Sequence, residues 1–352
     1  MLPYTHGGDV LTAQARYGGP VLDCSANLNP LGMPPQVGEA AAAAAAKASP
    51  YPDPLCRALR AAIAAHDGVE EGQVICGNGA ADLIFRLAFA LKPRKALLTA
   101  PTFSEYEEAV SAAGCGVVRH VLDPERDFDL TEAVLDDLEP GLDLAFFCTP
   151  NNRTGRVIRR ELMEAILEKC RAAGIRLVVD ECFLALSDGG EEASLAGYLE
   201  QYPNLLLLRA FTKSYAMPGL RLGYCLSADT ALLDRLSRCA QPWSVSGPAQ
   251  AAGLAAAAEP LHPLLARQLI APERSWLTQA MEGLGLRVFP SAANYLLFRA
   301  PGVSDLKERL LGRGVLIRSC ANYPGLGEDY YRVAVRLRGE NERLIQAMKE
   351  VL

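Results

Sequence analysis

QVIC (73–76), AADLIFRLAFAL (80–91), KALLTA (95–100), SEYEEAVSAAG (104–114) and GVVRHVL (116–122) follow one another with only short turns between them. Apolar runs of strand length alternate here with segments of helical period, the pattern of crossover units that close a parallel or mostly parallel sheet. The alternation continues through LDLAFFCTP (142–150), the helical ELMEAILEKCRAAG (161–174) closed by Gly174, the strand IRLVVD (175–180) and the run NLLLLRAF (204–211). About seven strands therefore fall between residues 73 and 227. Sheets of this class carry ligands at the carboxyl ends of their strands, so the residues just after each apolar run are the candidates for chemistry.

Outward from that stretch the pattern changes. After Gln241 come a helical stretch from about Gly247 to Gly285, then RVF (287–289), NYLLF (294–298), a helix near 304–311, VLI (315–317), YRVAV (331–335) and a terminal helix from Glu340 to Val351. This predicts a smaller α+β domain over 246–352, beside a large α/β domain over 49–245. Residues 1–48 hold too little regular pattern to stand alone and are assigned to an N-terminal arm and part of the small domain. The alanine run Ala40–Ala46 reads as an Ala-rich helix, with no function attached.

Composition narrows the function classes. Half of the 352 residues are apolar and 22% are charged, enough for two packed cores and unlike a disordered or collagen-like chain. Lys plus Arg number 35 against 41 Asp plus Glu, and a net charge of −6 gives no basic field for a nucleic acid backbone. Ten cysteines are scattered singly, without a CxxC pair or a histidine at ligand spacing. They predict reduced thiols in a cytoplasmic protein and no metal site. No stretch of 18 uncharged apolar residues occurs, and MLPYTHGGDV lacks the basic and apolar regions of an export signal, so neither a membrane span nor export is expected.

The strand ends read, in order, GNGA (77–80), PTFSEY (101–106), PNNRTG (150–155), DECF (180–183) and AFTKSYAMPGLRLGY (210–224). Gly79, Ala80 and Ala81 open a helix whose free N–H groups and positive dipole end suit a phosphate. A GxGxxG pattern is missing, which argues against a dinucleotide. Asp180 ends a buried strand, and Lys213 follows another. The bland alternatives are a turn-capping aspartate and a solvated lysine.

Taken together, the five motifs resemble the cofactor pocket of the fold type I pyridoxal-phosphate enzymes, the aspartate aminotransferase superfamily, over nearly the whole chain. The resemblance implies pyridoxal 5'-phosphate held by Lys213 as a Schiff base, with Lys213 also moving protons. It implies Asp180 at the pyridine nitrogen, Asn152 at the phenolic oxygen, and Tyr106 stacked on the ring. Arg221 and Thr212 join Gly79, Ala80 and Ala81 around the cofactor phosphate. Three departures stand out. The family's NPTG has become NRTG, placing Arg153 where a proline is usual. Ala210 replaces a common Ser or Thr. Phe183 replaces a tyrosine that bonds the phenolic oxygen, which Phe cannot do.

The chain's ends carry HGG (6–8), DCSANLNPLGMP (23–34), YPDP (51–54), QPWSVS (241–246), RSCANYPGLG (318–327) and YRVAVR (331–336). These resemble the threonine-phosphate decarboxylase branch of the superfamily, close to the histidinol-phosphate aminotransferases. The resemblance implies loss of the α-carboxylate from L-threonine O-3-phosphate in cobamide (vitamin B12) biosynthesis. It places Arg332 at the carboxylate, with Arg318, His6 and Asn29 around the substrate phosphate and Asn152 also touching substrate. Tyr51 would reach the cofactor phosphate of a second subunit, making a homodimer with shared active sites. Histidinol-phosphate transamination and a preference for L-serine O-phosphate remain the alternatives.

Overall fold

All seven expected strands join one sheet in a computed structural model that describes residues 6–352. Their spatial order is Val74–Gly77, Gly223–Leu226, Leu205–Ala210, Arg176–Asp180, Leu144–Cys148, Lys95–Ala100 and Gly116–Val121. Only Gly223–Leu226 runs antiparallel to its neighbours. Because helices cover both faces, Leu144–Cys148 and Leu205–Ala210 are buried at every position. Side chains alternate between two cores: Phe147, Val179 and Leu207 face one, Phe146, Val178 and Leu206 the other. The helix Arg160–Ala173 closes the first core with Leu162, Met163, Ile166, Leu167 and Cys170, and ends at Gly174 in the left-handed conformation.

Register sets the rim where the chemistry lies. Cys148 pairs with Asp180, and Asp180 with Leu208, so neighbouring strands finish at one level. The alanine-rich segment is indeed a helix, Pro35–Ala45, and Val37 and Ala41 share a core with Ala249, Ala252 and Ala256 of the helix Gly247–Ala257.

A four-stranded antiparallel sheet forms beyond residue 286, ordered Arg318–Ser319, Tyr330–Ala334, Tyr295–Arg299 and Arg287–Val288. Its core gathers Leu296, Phe298, Tyr331 and Val333 with Leu344 and Met348 of the last helix, Arg338–Val351. The N-terminal strand Leu22–Asp23 pairs in parallel with Val315–Leu316, and Leu22 enters the same core. Two elements differ from expectation. The helical stretch 247–285 is two helices, Gly247–Ala257 and Leu261–Glu282, because Pro260 supplies no N–H and pushes the preceding residue out of helical conformation. The chain changes partner just after the run VLI: Val315–Leu316 pairs with the N-terminal strand, while Arg318–Ser319 pairs with Tyr330–Ala334.

Candidate active site

A cavity opens between the carboxyl rim of the large sheet and the small sheet. Lys213 lies in it on a single helical turn, Phe211–Ser214, that directly follows the strand Leu205–Ala210. Burial, with Arg332 and Arg221 nearby, lowers its pKa from 10.5 to about 8, so this amine loses its proton far more readily than a solvated lysine. Asp180, 3% exposed, faces the same space. One of its carboxylate oxygens accepts from the Tyr106 hydroxyl, and the other accepts from the Cys182 backbone N–H at 2.9 Å.

The opposite end of the cofactor space is built from backbone. Gly79 caps the helix Ala80–Leu91 at φ +82°, and a Cβ there would stand 2.7 Å from the Arg221 guanidinium. Gly223 is constrained likewise, since its Cβ would fall 2.5 Å from the Ala80 nitrogen. The free N–H groups of this helix, Arg221 and Thr212 line one corner of the cavity. Pyridoxal phosphate fits these residues: a phosphate in the helix-and-arginine corner, a buried carboxylate for the pyridinium, and a low-pKa amine for the carbonyl carbon. Phe183 lies in the wall with its ring centroid 5.6 Å from the Lys213 Nζ, packed edge-on to Tyr295. The lysine therefore has an aromatic face where the resemblance expects a phenol.

The small sheet contributes the cations. Arg318 and Arg332 are directly opposed across antiparallel strands, an arrangement that repels itself unless an anion sits between the groups. Arg332, 6% exposed, donates through Nη1 to the Asn152 backbone and side-chain oxygens, both at 3.0 Å, and through Nη2 to the Ser25 carbonyl at 3.3 Å. Burial and the nearby Arg153 lower its pKa to about 10. His6 lies in the cavity wall, 3.0 Å from a carboxylate oxygen of Glu105.

The cavity thus brings together Lys213, Asp180, Gly79, Ala80, Ala81, Asn152, Thr212, Arg221, His6, Arg318 and Arg332. It does not include three expected residues. The Tyr106 ring is fully buried, stacked on Phe146 at 4.9 Å, and of the two rings in PTFSEY it is Phe103 that lines the cavity wall. The backbone explains this: Phe103 is the extended N-cap of the helix Ser104–Ala112, whereas Tyr106 lies within the helix and its hydroxyl donates to Asp180 beneath the cavity. Asn29 is also turned away. Its side-chain amide donates to the Ser214 carbonyl at 2.7 Å, and its backbone N–H donates to the Lys213 carbonyl, so it supports the lysine loop. Asn27, two residues earlier in the same motif, faces the cavity instead. Tyr51 is 77% exposed and stacked on Trp243 at 4.2 Å, outside the cavity.

Sequence reasoning missed Asn27, Ser25, Phe103 and Tyr323, all in the cavity wall, and treated Arg153 only as a departure. Asn27 and Phe103 sit inside quoted motifs, where direction rather than identity was hidden. For Tyr323 the only signal was its place in RSCANYPGLG.

Comparison with known proteins agrees with this geometry. The family model for aminotransferase class I and II matches residues 20–348. The chain is 40% identical to threonine-phosphate decarboxylase from Salmonella typhimurium, over 99% of this chain and 96% of that one. It is 33% identical to histidinol-phosphate aminotransferase from Nitratidesulfovibrio vulgaris, over 99% and 94%. The crystal structure of histidinol-phosphate aminotransferase from Clostridium acetobutylicum superposes with a TM-score of 0.87 at 27% identity, covering 94% of this chain and 99% of that one. With a half-buried lysine of lowered pKa, a buried aspartate and a phosphate corner at the strand ends, the chain belongs to the class I and II aminotransferase family and is a pyridoxal-phosphate-dependent enzyme.

Proposed function

We propose that this enzyme decarboxylates L-threonine O-3-phosphate, giving (R)-1-amino-2-propanol O-2-phosphate and carbon dioxide, as a cytoplasmic step of cobamide synthesis. One observation carries the reading. Arg153, Arg221, Arg318 and Arg332 line a single cavity, and among the described residues none of the four forms an ion pair with a carboxylate. Arg153, Arg318 and Arg332 are buried, and buried cations persist when something pairs with them. Arg221 is matched by a cofactor phosphate, which leaves the small-sheet side for a substrate that brings its own two anions. L-threonine O-3-phosphate has a carboxylate and a phosphate. The relative at 40% identity carries that activity in its name.

When bound through Lys213, pyridoxal phosphate supplies the electron sink for the pair left on Cα as the bond to the carboxylate breaks. The chain's own residues decide which bond that is. Arg332 presents a planar fork that would bind the carboxylate and set its direction, and that direction would decide which bond at Cα the cofactor activates. Its three contacts to Asn152 and Ser25 fix the fork before substrate arrives. A decarboxylase must orient the carboxylate without stabilising it so well that it stays. One proton then enters Cα as carbon dioxide leaves, and Lys213, with its pKa near 8, is the cavity amine that would give it.

In this reading Tyr51, exposed on the single chain, reaches the cofactor phosphate of a second subunit in a homodimer. The division into 49–245 for the cofactor and 1–48 with 246–352 for the substrate belongs to the same proposal. A second reading, histidinol-phosphate transamination, is favoured by the 33% identical relative and differs in consuming an oxo acid. L-serine O-phosphate lacks one methyl group, worth about 1–3 kcal/mol in an apolar pocket, so the two phosphates are compared in the same assay. Purified enzyme given L-threonine O-3-phosphate and no oxo acid is expected to accumulate aminopropanol phosphate, identified by mass. Turnover seen only with histidinol phosphate and 2-oxoglutarate would overturn the proposal.

A further inference from the structure

A tyrosine hydroxyl has two lone pairs and one hydrogen. At Tyr323 both lone pairs are engaged: Arg153 donates through Nη2, and Arg318 donates through its own Nη2 at 2.9 Å. Among the described residues no acceptor receives the hydroxyl's own hydrogen, although Tyr323 is only 4% exposed and lines the cavity. A buried donor left without an acceptor is costly, so the site is complete only when a ligand oxygen meets it.

Arg153 holds this arrangement. It is 3% exposed, and its guanidinium carbon lies 3.8 Å from the Tyr323 ring centroid. Nη1 donates to the Asn152 carbonyl at 2.6 Å and to the Asn152 side-chain oxygen at 3.0 Å, while Nε has no partner. A proline is usual at this position of the motif, so the guanidinium belongs to this chain rather than to the common pattern.

We infer that Tyr323 donates a hydrogen bond to the substrate's phosphate, and that Arg153 is the positioning residue that, with Arg318, turns the Tyr323 hydrogen into the cavity. The inference rests on the reading of a phosphorylated amino acid as substrate. The electrostatics agree: burial alone would raise the phenol's pKa, but Arg153 and Arg318, with Arg332 behind them, outweigh it and lower it, which strengthens the donor. A phosphate oxygen meeting this hydrogen also lies against Arg318, so one anionic group answers the phenol and the guanidinium together.

The test compares two ligands on the holoenzyme. L-threonine O-3-phosphate and L-threonine are each rapidly mixed with wild type, Tyr323→Phe and Arg153→Met, and dissociation constants are read from the first change in the cofactor's visible absorbance. Wild type is expected to prefer the phosphorylated ligand. Both variants are expected to bind it roughly ten- to a hundredfold more weakly, as for a lost hydrogen bond to a charged group, and to bind L-threonine as wild type does. Equal weakening toward both ligands would make the pair structural and overturn the proposal, as would no weakening toward either. Wild type that binds both ligands alike would overturn the substrate reading itself, a separate and distinguishable failure. Should Arg153→Met fail to fold, Tyr323→Phe decides alone, since it removes a single oxygen.

Discussion

The two walls of the cavity are built on different principles. On the large-sheet wall the functional groups sit at strand ends and next to a helix terminus, and charge is answered by the protein and its cofactor: Asp180 by the Tyr106 hydroxyl and the Cys182 N–H, Arg221 and the helix N-terminus by the phosphate they would hold. On the small-sheet wall Arg318 and Arg332 face each other across paired strands, with Arg153 beside them and, among the described residues, no carboxylate paired with any of the three. The first wall is complete once the chain folds around its cofactor. The second leaves its cations without a carboxylate partner among the described residues, and on the proposed reading a doubly anionic substrate supplies the missing charge.

Removing the centre of the first wall has the largest expected effect. Lys213→Ala should abolish the visible absorbance of the lysine-bound cofactor and lower turnover by on the order of 10²–10⁴-fold, the scale of a lost general acid–base group. A variant that stays yellow through a borohydride-reducible lysine elsewhere would break the comparison at its root.

On the second wall, Arg332→Met should cost about a hundredfold in kcat/KM through the lost fork to the carboxylate. The same change removes one of two opposed like charges, so the ligand-free protein should unfold no earlier than wild type. Loss of activity accompanied by a clearly lower melting temperature would mean that Arg332 is structural, and the contrast between walls would fail.

A third test uses pH. In the cofactor-free chain Lys213 titrates near 8, against 10.5 for an unperturbed lysine. The unfolded state therefore binds the proton more strongly between those values, and burial of this amine costs about 3 kcal/mol at pH 7, a cost relieved as pH rises from 8 toward 10.5. Lys213→Met apoenzyme should be more stable than wild-type apoenzyme at pH 7, and the gap should close by about pH 10.5 in denaturant titrations. A gap independent of pH would show that the lysine is not held in its neutral-favouring environment.

Much of the first wall could be read from the chain because topology dictates it. An apolar run long enough to be a buried strand, followed by Asp180 or Lys213, leaves those side chains at the rim by necessity. The second wall depends on facts that no run of letters carries. Arg318 and Arg332 were found by their motifs, but their direct opposition follows from the register of two short strands. Asn27 and Asn29 are two residues apart in irregular chain, and which of them faces the cavity is decided by the hydrogen bond from Asn29 to the Ser214 carbonyl, 185 residues away. The direction of Tyr106 was hidden for the same reason: PTFSEY names two aromatic rings, and only packing against Phe146 shows that Tyr106 is the buried one.

Phe183→Tyr gives the smallest expected effect. Restoring the phenol beside Lys213 should shift the visible-absorption titration of the loaded enzyme by about one pH unit, the typical spread of side-chain pKa values across protein environments. An unchanged titration would show that this position is silent.

The central claim is that a wall of unpaired arginines equips a pyridoxal-phosphate enzyme to take a carboxylate from a phosphorylated amino acid. It is tested most directly by supplying L-threonine O-3-phosphate labelled in its carboxyl carbon, without any oxo acid, and counting labelled carbon dioxide against amine formed. The account predicts one carbon dioxide for each aminopropanol phosphate; amine chemistry that leaves the label in the acid would contradict it.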